Sequence, residues 1–98
     1  MAIDRGLLAI LEAKPGKGEE LATFLRHARE LAAAEEGTVT WYAFRLGETR
    51  YAIFDTFADE DARQAHLSGQ IPAALGAVGA SLLATDPDIQ LVDVVAAT

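Results

Sequence analysis

The sequence predicts an α+β fold in which four strands and two helical regions follow one another as β-α-β-β-α-β. The hydrophobic period changes from strand-like to helix-like and back twice along the chain. Pro-Gly, lone Gly and Asp-Pro-Asp breaks fall between the segments. A third observation concerns faces: "TVTWYAFRLGETRYAIFDTF", Thr38 to Phe57, reads as two strands around a tight turn and is apolar on both sides. Small antiparallel sheets usually wet one face, so this pair needs cover on two.

"GLLAILEAK" (Gly6 to Lys14) is a short apolar run that stops at Pro15-Gly16, a dipeptide suited to the central positions of a type II turn, and it is read as strand one. From Gly18 to Glu36 the spacing is helical. Leu21, Leu25, Ala28 and Ala32 share one stripe, Phe24 and Leu31 lie beside it, and Glu20, Arg26, Arg29 and Glu30 lie away from it. Glu19 and Glu20 suit the positive end of the helix dipole. Gly37 reads as a left-handed stop past the last turn.

Strands two and three, Thr38 to Leu46 and Arg50 to Phe57, are rich in β-branched and aromatic residues. A two-residue Gly47-Glu48 turn, with Gly47 at positive φ, sets Trp41 opposite Phe54 but also Arg45 opposite Arg50, where like charges repel. A three-residue loop instead sets Arg45 beside Tyr51 and Trp41 beside Asp55. Both registers leave large apolar side chains on each face.

Asp59 is a good N-cap, followed by Glu60 and Asp61 in a first turn, with Ala62, Ala65, His66 and Gly69 on one side. A second helical piece begins near Pro72 and carries Ile71, Leu75, Val78 and Leu82 at helical spacing. Gly76 and Gly79 within it read as permitting close packing at some cost in helix propensity. Asp86 to Asp88 is a turn, and Ile89 to Ala97 the last strand.

This order is the split βαβ, ferredoxin-like plan, a four-stranded antiparallel sheet with helices on one face. Helices cover only that face. The other is largely apolar as well, and exposing it leaves a patch larger than soluble monomers usually show. Packing sheet to sheet against a second copy removes it, so the expectation is a homodimer.

The 98 residues are read as one domain, at a size where a partner subunit often supplies part of the burial. Fifteen acidic against eight basic residues give a net charge of −7, which opposes binding to nucleic acid and to anionic membrane surfaces. Without cysteine there is no disulfide, thiolate ligand or thiol nucleophile. The N-terminal apolar run is too short for a signal core, and no run approaches the roughly 20 apolar residues that span a bilayer. The expected location is the cytoplasm. No His and carboxylate cluster has metal-ligand spacing.

Asp55 is the oddity, an acid in an otherwise apolar strand. If its face is buried it needs a partner, and Arg45, Arg50 and His66 are the candidates. Asp93 in strand four raises the same question. His66 lies on the inward or border side of an alanine-rich helix, where it serves either as a structural histidine or as a base. His27, next to a polar helix side, reads as solvated. Trp41, Phe54 and Phe57 suit either core contacts or the walls of an aromatic cage.

The chain resembles the antibiotic biosynthesis monooxygenase family, small dimeric α+β-barrel proteins. The resemblance spans nearly the whole length and rests on "EEGTVTWYAFR" (Glu35 to Arg45) and "YAIFDTFADEDARQAHLSG" (Tyr51 to Gly69). Trp41 takes the place of the aromatic entering strand two; Asp55, Phe57, Asp59 to Asp61 and Ala65-His66-Leu67 follow the second motif. The chain departs from the family in carrying Phe57 where tryptophan is common, and Gln70 and Ile71 where a further histidine often stands. It has no asparagine, which haem-degrading relatives of this family use.

The resemblance implies oxygenation of a small aromatic polyketide or quinol without metal, flavin or haem; the alternative is a noncatalytic small-molecule-binding or stress-related homodimer that keeps the fold and lacks the reaction. Such a substrate, once deprotonated, is electron-rich enough to reduce O₂ itself. The protein then supplies an apolar slot, a base of near-neutral pKa and a donor for the oxyanion. On this resemblance His66 is the expected catalytic base, with Trp41, Arg45, Tyr51, Asp55 and Phe57 as substrate-binding residues. Trp41 and Tyr51 would meet the ring, and Arg45 would stabilise negative charge.

Overall fold

A computed structural model describes residues 3–98. The order is β1 (Arg5–Glu12), α1 (Gly18–Ala33), β2 (Thr38–Arg45), β3 (Arg50–Phe57), α2 (Glu60–Leu67), α3 (Gln70–Leu82) and β4 (Asp88–Asp93). The strands form one antiparallel sheet in the order β2-β3-β1-β4, the ferredoxin-like arrangement. The second helical region is indeed two pieces.

Local chemistry accounts for most boundaries. Gly16 is at φ +79°, and the Lys17 N–H donates to the Lys14 carbonyl at 2.9 Å, closing the Pro15-Gly16 turn. The Asp59 side chain accepts from Ala62 N at 2.8 Å and caps α2. α1 ends at Ala33, three residues before Glu36, and β4 ends at Asp93, four before Ala97.

Gly37 does not stop α1 by a left-handed turn; among the described residues Gly16 alone has positive φ. A Cβ on Gly37 would instead collide with the Cβ of Ala62 on α2. The glycine is needed for close approach of two segments rather than for its own backbone angles.

The β2–β3 hairpin takes the three-residue-loop register: Arg45 pairs with Tyr51 and Trp41 with Asp55. The Arg50 carbonyl accepts from Leu46 N at 2.8 Å and Gly47 N at 3.2 Å, so Gly47 needs no positive φ. This register keeps Arg45 away from Arg50. Arg45 Nε donates to the Tyr51 hydroxyl at 3.0 Å, and Nη2 reaches Glu19 on α1 at 2.7 Å. An irregularity at Val39 lets the strand keep this pairing past Thr40.

Register decides the faces. Leu7, Ala9 and Leu11 of β1 and Tyr51, Ile53 and Phe57 of β3 point to the helices and are buried, where they meet Leu21, Leu25 and Leu75. On the opposite face Tyr42 is 60% and Phe44 42% exposed, with Leu8, Ile10 and Phe54 half-buried beside them. The second apolar face is therefore present and, in the single chain, uncovered.

One buried cation ties the layers. Arg63 of α2 is 6% exposed and donates to the Gly6 carbonyl of β1 and the Val92 carbonyl of β4, both at 3.2 Å, while gripping Glu60. Asp93, on the surface, lies 3.7 Å from Arg5. His27 is exposed, as its polar neighbourhood implies.

Candidate functional site

Helix α3 leaves an open seam between itself and the strands β3, β1 and β4. The seam is a cleft of about 730 Å³, within the range of small-molecule sites. Its floor is Leu7, Ala9, Ile53 and Ile89, and its wall carries Ile71 and Leu75 of α3 and Leu83 just past the helix. Two polar side chains stand together in this lining, Asp55 from β3 and His66 from α2, and Lys14, Thr85 and Asp86 border the cleft elsewhere.

Asp55 is 1% exposed. Its pairing neighbours are Leu7 of β1 and Trp41 of β2, so no cation flanks it within the sheet. Its Oδ2 lies 3.2 Å from His66 Nε2 but out of line for a hydrogen bond, and the atom has no hydrogen-bond partner in the protein. Burial pushes the Asp55 carboxyl up to about 6; attraction to His66 opposes the rise and repulsion from Glu35 adds to it. A carboxylate that gains and loses its proton near neutrality thus stands in the wall of an apolar slot.

His66 is fixed from its other side. Its Nδ1 lies 2.7 Å from Glu35 Oε1, and the same Glu35 oxygen accepts from the Thr38 hydroxyl at 2.7 Å. The ring of Phe57, which is fully buried, packs at 5.1 Å between centroids. The imidazole is therefore bracketed by two carboxylates, held in orientation by one and close to the unpartnered oxygen of the other. Its place in the last turn of α2 also suits positive charge.

The expected site residues do not form one constellation. Asp55 and His66 meet in the cleft, and Phe57 backs His66 without lining it. Trp41, Arg45 and Tyr51 border a separate groove of about 480 Å³ between α1 and β2. Of Asp55's three candidate partners, His66 is the one that reaches it; Arg45 is engaged by Tyr51 and Glu19, and Arg50 lies 3.9 Å from Glu12. Among the described residues no cluster of His, Cys, Asp or Glu is arranged to hold a metal ion.

Sequence reasoning overlooked the role of Glu35. A signal was present: Glu35 and Glu36 follow the C-terminal end of a helix, where the dipole disfavours acids, so one of them has another task. Gly76 and Gly79 also read differently in place. A Cβ on Gly76 would meet nothing within 4 Å, and one on Gly79 only Leu83 Cδ1 at 3.9 Å. They do not serve close packing; both line the cleft.

Residues 6–74 match the family model described as antibiotic biosynthesis monooxygenase. The chain belongs to the antibiotic biosynthesis monooxygenase family. The family match covers β1 through the first turns of α3, and so contains Asp55, His66 and Glu35. Among solved structures, a protein of unknown function from Nitrosomonas europaea is 49% identical, with 98% of this chain and 93% of that one covered at a TM-score of 0.95. A protein of Caulobacter crescentus, provisionally assigned as an antibiotic biosynthesis monooxygenase, is 28% identical over 96% of this chain and 92% of that one, with a TM-score of 0.78. A Pseudomonas aeruginosa protein at 21% identity shares the fold, with 98% of both chains covered and a TM-score of 0.81. No curated protein matches the sequence. No described helix of this family member is long and apolar enough to cross a membrane.

Proposed function

We propose that this protein is a cytoplasmic homodimer that oxygenates a small aromatic polyketide or quinol in the α3 cleft, without a cofactor. The observation that carries this reading is the unpartnered Oδ2 of buried Asp55 in the wall of an apolar cleft, beside His66. An enzyme that only has to remove a weakly acidic proton from a ring system needs an apolar slot and a base of near-neutral pKa. Asp55, near 6, meets the second requirement.

In this reading Asp55 and His66 act as one proton-accepting pair. Asp55 takes a proton from the activated CH₂ of the substrate, or from the hydroxyl of its phenol tautomer. His66, held by Glu35, stabilises the carboxylate beforehand and shares the proton afterwards. The substrate anion passes one electron to O₂, giving a substrate radical and superoxide. The two combine to form a C–O bond, and the peroxide anion takes the proton back from the pair. Loss of water from the hydroperoxide, using the second hydrogen of the same carbon, leaves a carbonyl. Overall one CH₂ and one O₂ become one C=O and one H₂O. An apolar cleft favours the step by excluding water from the anion. Trp41, Arg45, Tyr51 and Phe57 act outside the cleft here, in packing and in the charge network at the β2 edge.

The homodimer part rests on the face carrying Tyr42 and Phe44, which a second sheet would cover.

The test is oxygen uptake by the purified protein across anthrones, naphthohydroquinones and catechols, with Asp55→Asn and His66→Ala alongside. Uptake above the uncatalysed rate that falls on the order of 100-fold or more in Asp55→Asn supports the reading. Binding of these compounds with no uptake for any of them overturns it in favour of a noncatalytic small-molecule-binding dimer.

A further inference from the structure

Helix α3 is built in an unexpected way for an element that covers a sheet. Within thirteen residues it carries Gly76 and Gly79, each of which costs roughly 1 kcal/mol of helix stability relative to alanine. Close packing does not explain them, since the space where each Cβ would stand is open or nearly so. Both line the cleft, further along α3 than Ile71. Asp55 and His66 stand near the start of the helix with Ile71; Gly79, Ala80 and Leu83 follow about two to three turns later.

The cleft is therefore an elongated slot with its one unpartnered buried acid at one end and missing side chains along the other. Its floor continues past the helix onto Ile89 of β4, which α3 leaves 46% exposed. Ala9 separates Ile53 from Ile89 on this floor, and Lys14, whose Nζ donates to the Ala80 carbonyl, borders the slot with Thr85 and Asp86.

We propose that Gly76 and Gly79 determine the length of ligand the cleft takes, admitting planar aromatic systems of three or more fused rings whose reacting end lies on Asp55. This rests on the reading of the cleft as an aromatic site and adds the size class. Two-ring compounds occupy the Asp55 end alone, against Ile53, Ile71 and Leu75. A third ring extends over the glycines towards Ile89. An isobutyl group placed at either glycine fills that extension and leaves the acid end as it is.

The test is binding measured by calorimetry, with a hydroxynaphthoquinone as the two-ring probe and a hydroxyanthraquinone as the three-ring probe. Neither turns over, so the readout does not depend on oxygenation. Gly76→Leu and Gly79→Leu are compared with Ala77→Leu, which lies on the same helix away from the cleft lining. The two glycine variants raise helix propensity and Ala77→Leu lowers it only slightly, and circular dichroism checks the fold. The expected result is a loss of at least tenfold in affinity for the three-ring probe in both glycine variants. The two-ring probe stays within about twofold, and Ala77→Leu alters neither. Unchanged three-ring binding in the glycine variants, or an equal loss of both probes, overturns the inference while leaving the aromatic site standing. Failure of the wild-type protein to bind either probe removes the inference and the aromatic reading together.

Discussion

Asp55 Oδ2 and His66 Nε2 lie 3.2 Å apart without a hydrogen bond in line, one from the third strand and one from the end of α2. The pair brings two titratable groups together in a mostly apolar seam. Its behaviour with pH is the most direct physical consequence of the fold.

The Asp55 carboxyl contributes to stability with pH in a defined direction. Its folded pKa of about 6 is above the ordinary 3.8, so the native state binds its proton more tightly than the unfolded state does. The stability this gives is fully present below about pH 4 and is lost as pH rises through about 6, a loss on the order of 3 kcal/mol. Asp55→Asn removes the dependence. Denaturant unfolding at pH 4 and pH 7 is expected to show the variant gaining on the wild type as pH rises; a constant difference contradicts the burial argument.

Gly37 and Ala62 give a test of the contact between the start of β2 and α2. Gly37→Ala is expected to cost about 1–3 kcal/mol, because the new methyl meets the Ala62 Cβ and the backbone must shift. Ala62→Gly alone costs about 1 kcal/mol through helix propensity. The double variant should be less destabilised than the sum of the two, measured by chemical denaturation in a double-mutant cycle. Simple additivity would show that the clash is relieved elsewhere.

Arg63 holds carbonyls of two strands and a glutamate from one buried position. Arg63→Ala should cost about 2–3 kcal/mol, since it leaves these acceptors without their charged donor. Arg63→Lys should recover only part of it, because an ammonium lacks the planar fork that reaches all three. Thermal melts of the two variants check this.

The open sheet face is expected to be the dimer contact. Phe44→Glu, at a position 42% exposed in the single chain, should yield monomers in light scattering at concentrations where the wild type shows twice the chain mass. A wild type that is monomeric at micromolar concentration contradicts the homodimer.

How much of this was legible in the sequence depends on how local each cause is. The strand and helix assignments rest on period and on caps such as Asp59, which act within a few residues. The hairpin had two admissible registers, and Arg45–Arg50 repulsion pointed against the one the chain avoids. Gly37 was misread because its constraint comes from Ala62, a contact that exists only once α2 folds back. Asp55 was legible as an anomaly and His66 as one of its three candidate partners. The bracket with Glu35 was not, since it joins residues from the end of α1, β3 and α2. Trp41, Arg45 and Tyr51 share a helix-facing side with Asp55, yet α1 packs over them and separates them from the cleft. The openings at Gly76 and Gly79 depend on what is absent around them, which no spacing reveals.

The central claim is that Asp55 is the proton acceptor of the cleft. The most direct measurement is the pH dependence of kcat/KM for oxygen uptake on an anthrone or hydroquinone, wild type against Asp55→Asn. The account predicts a rate that rises with pH through an apparent pKa near 6 in the wild type. In the variant that limb should vanish, with the rate lower on the order of 100-fold or more. A variant that keeps both the limb and the rate would contradict it.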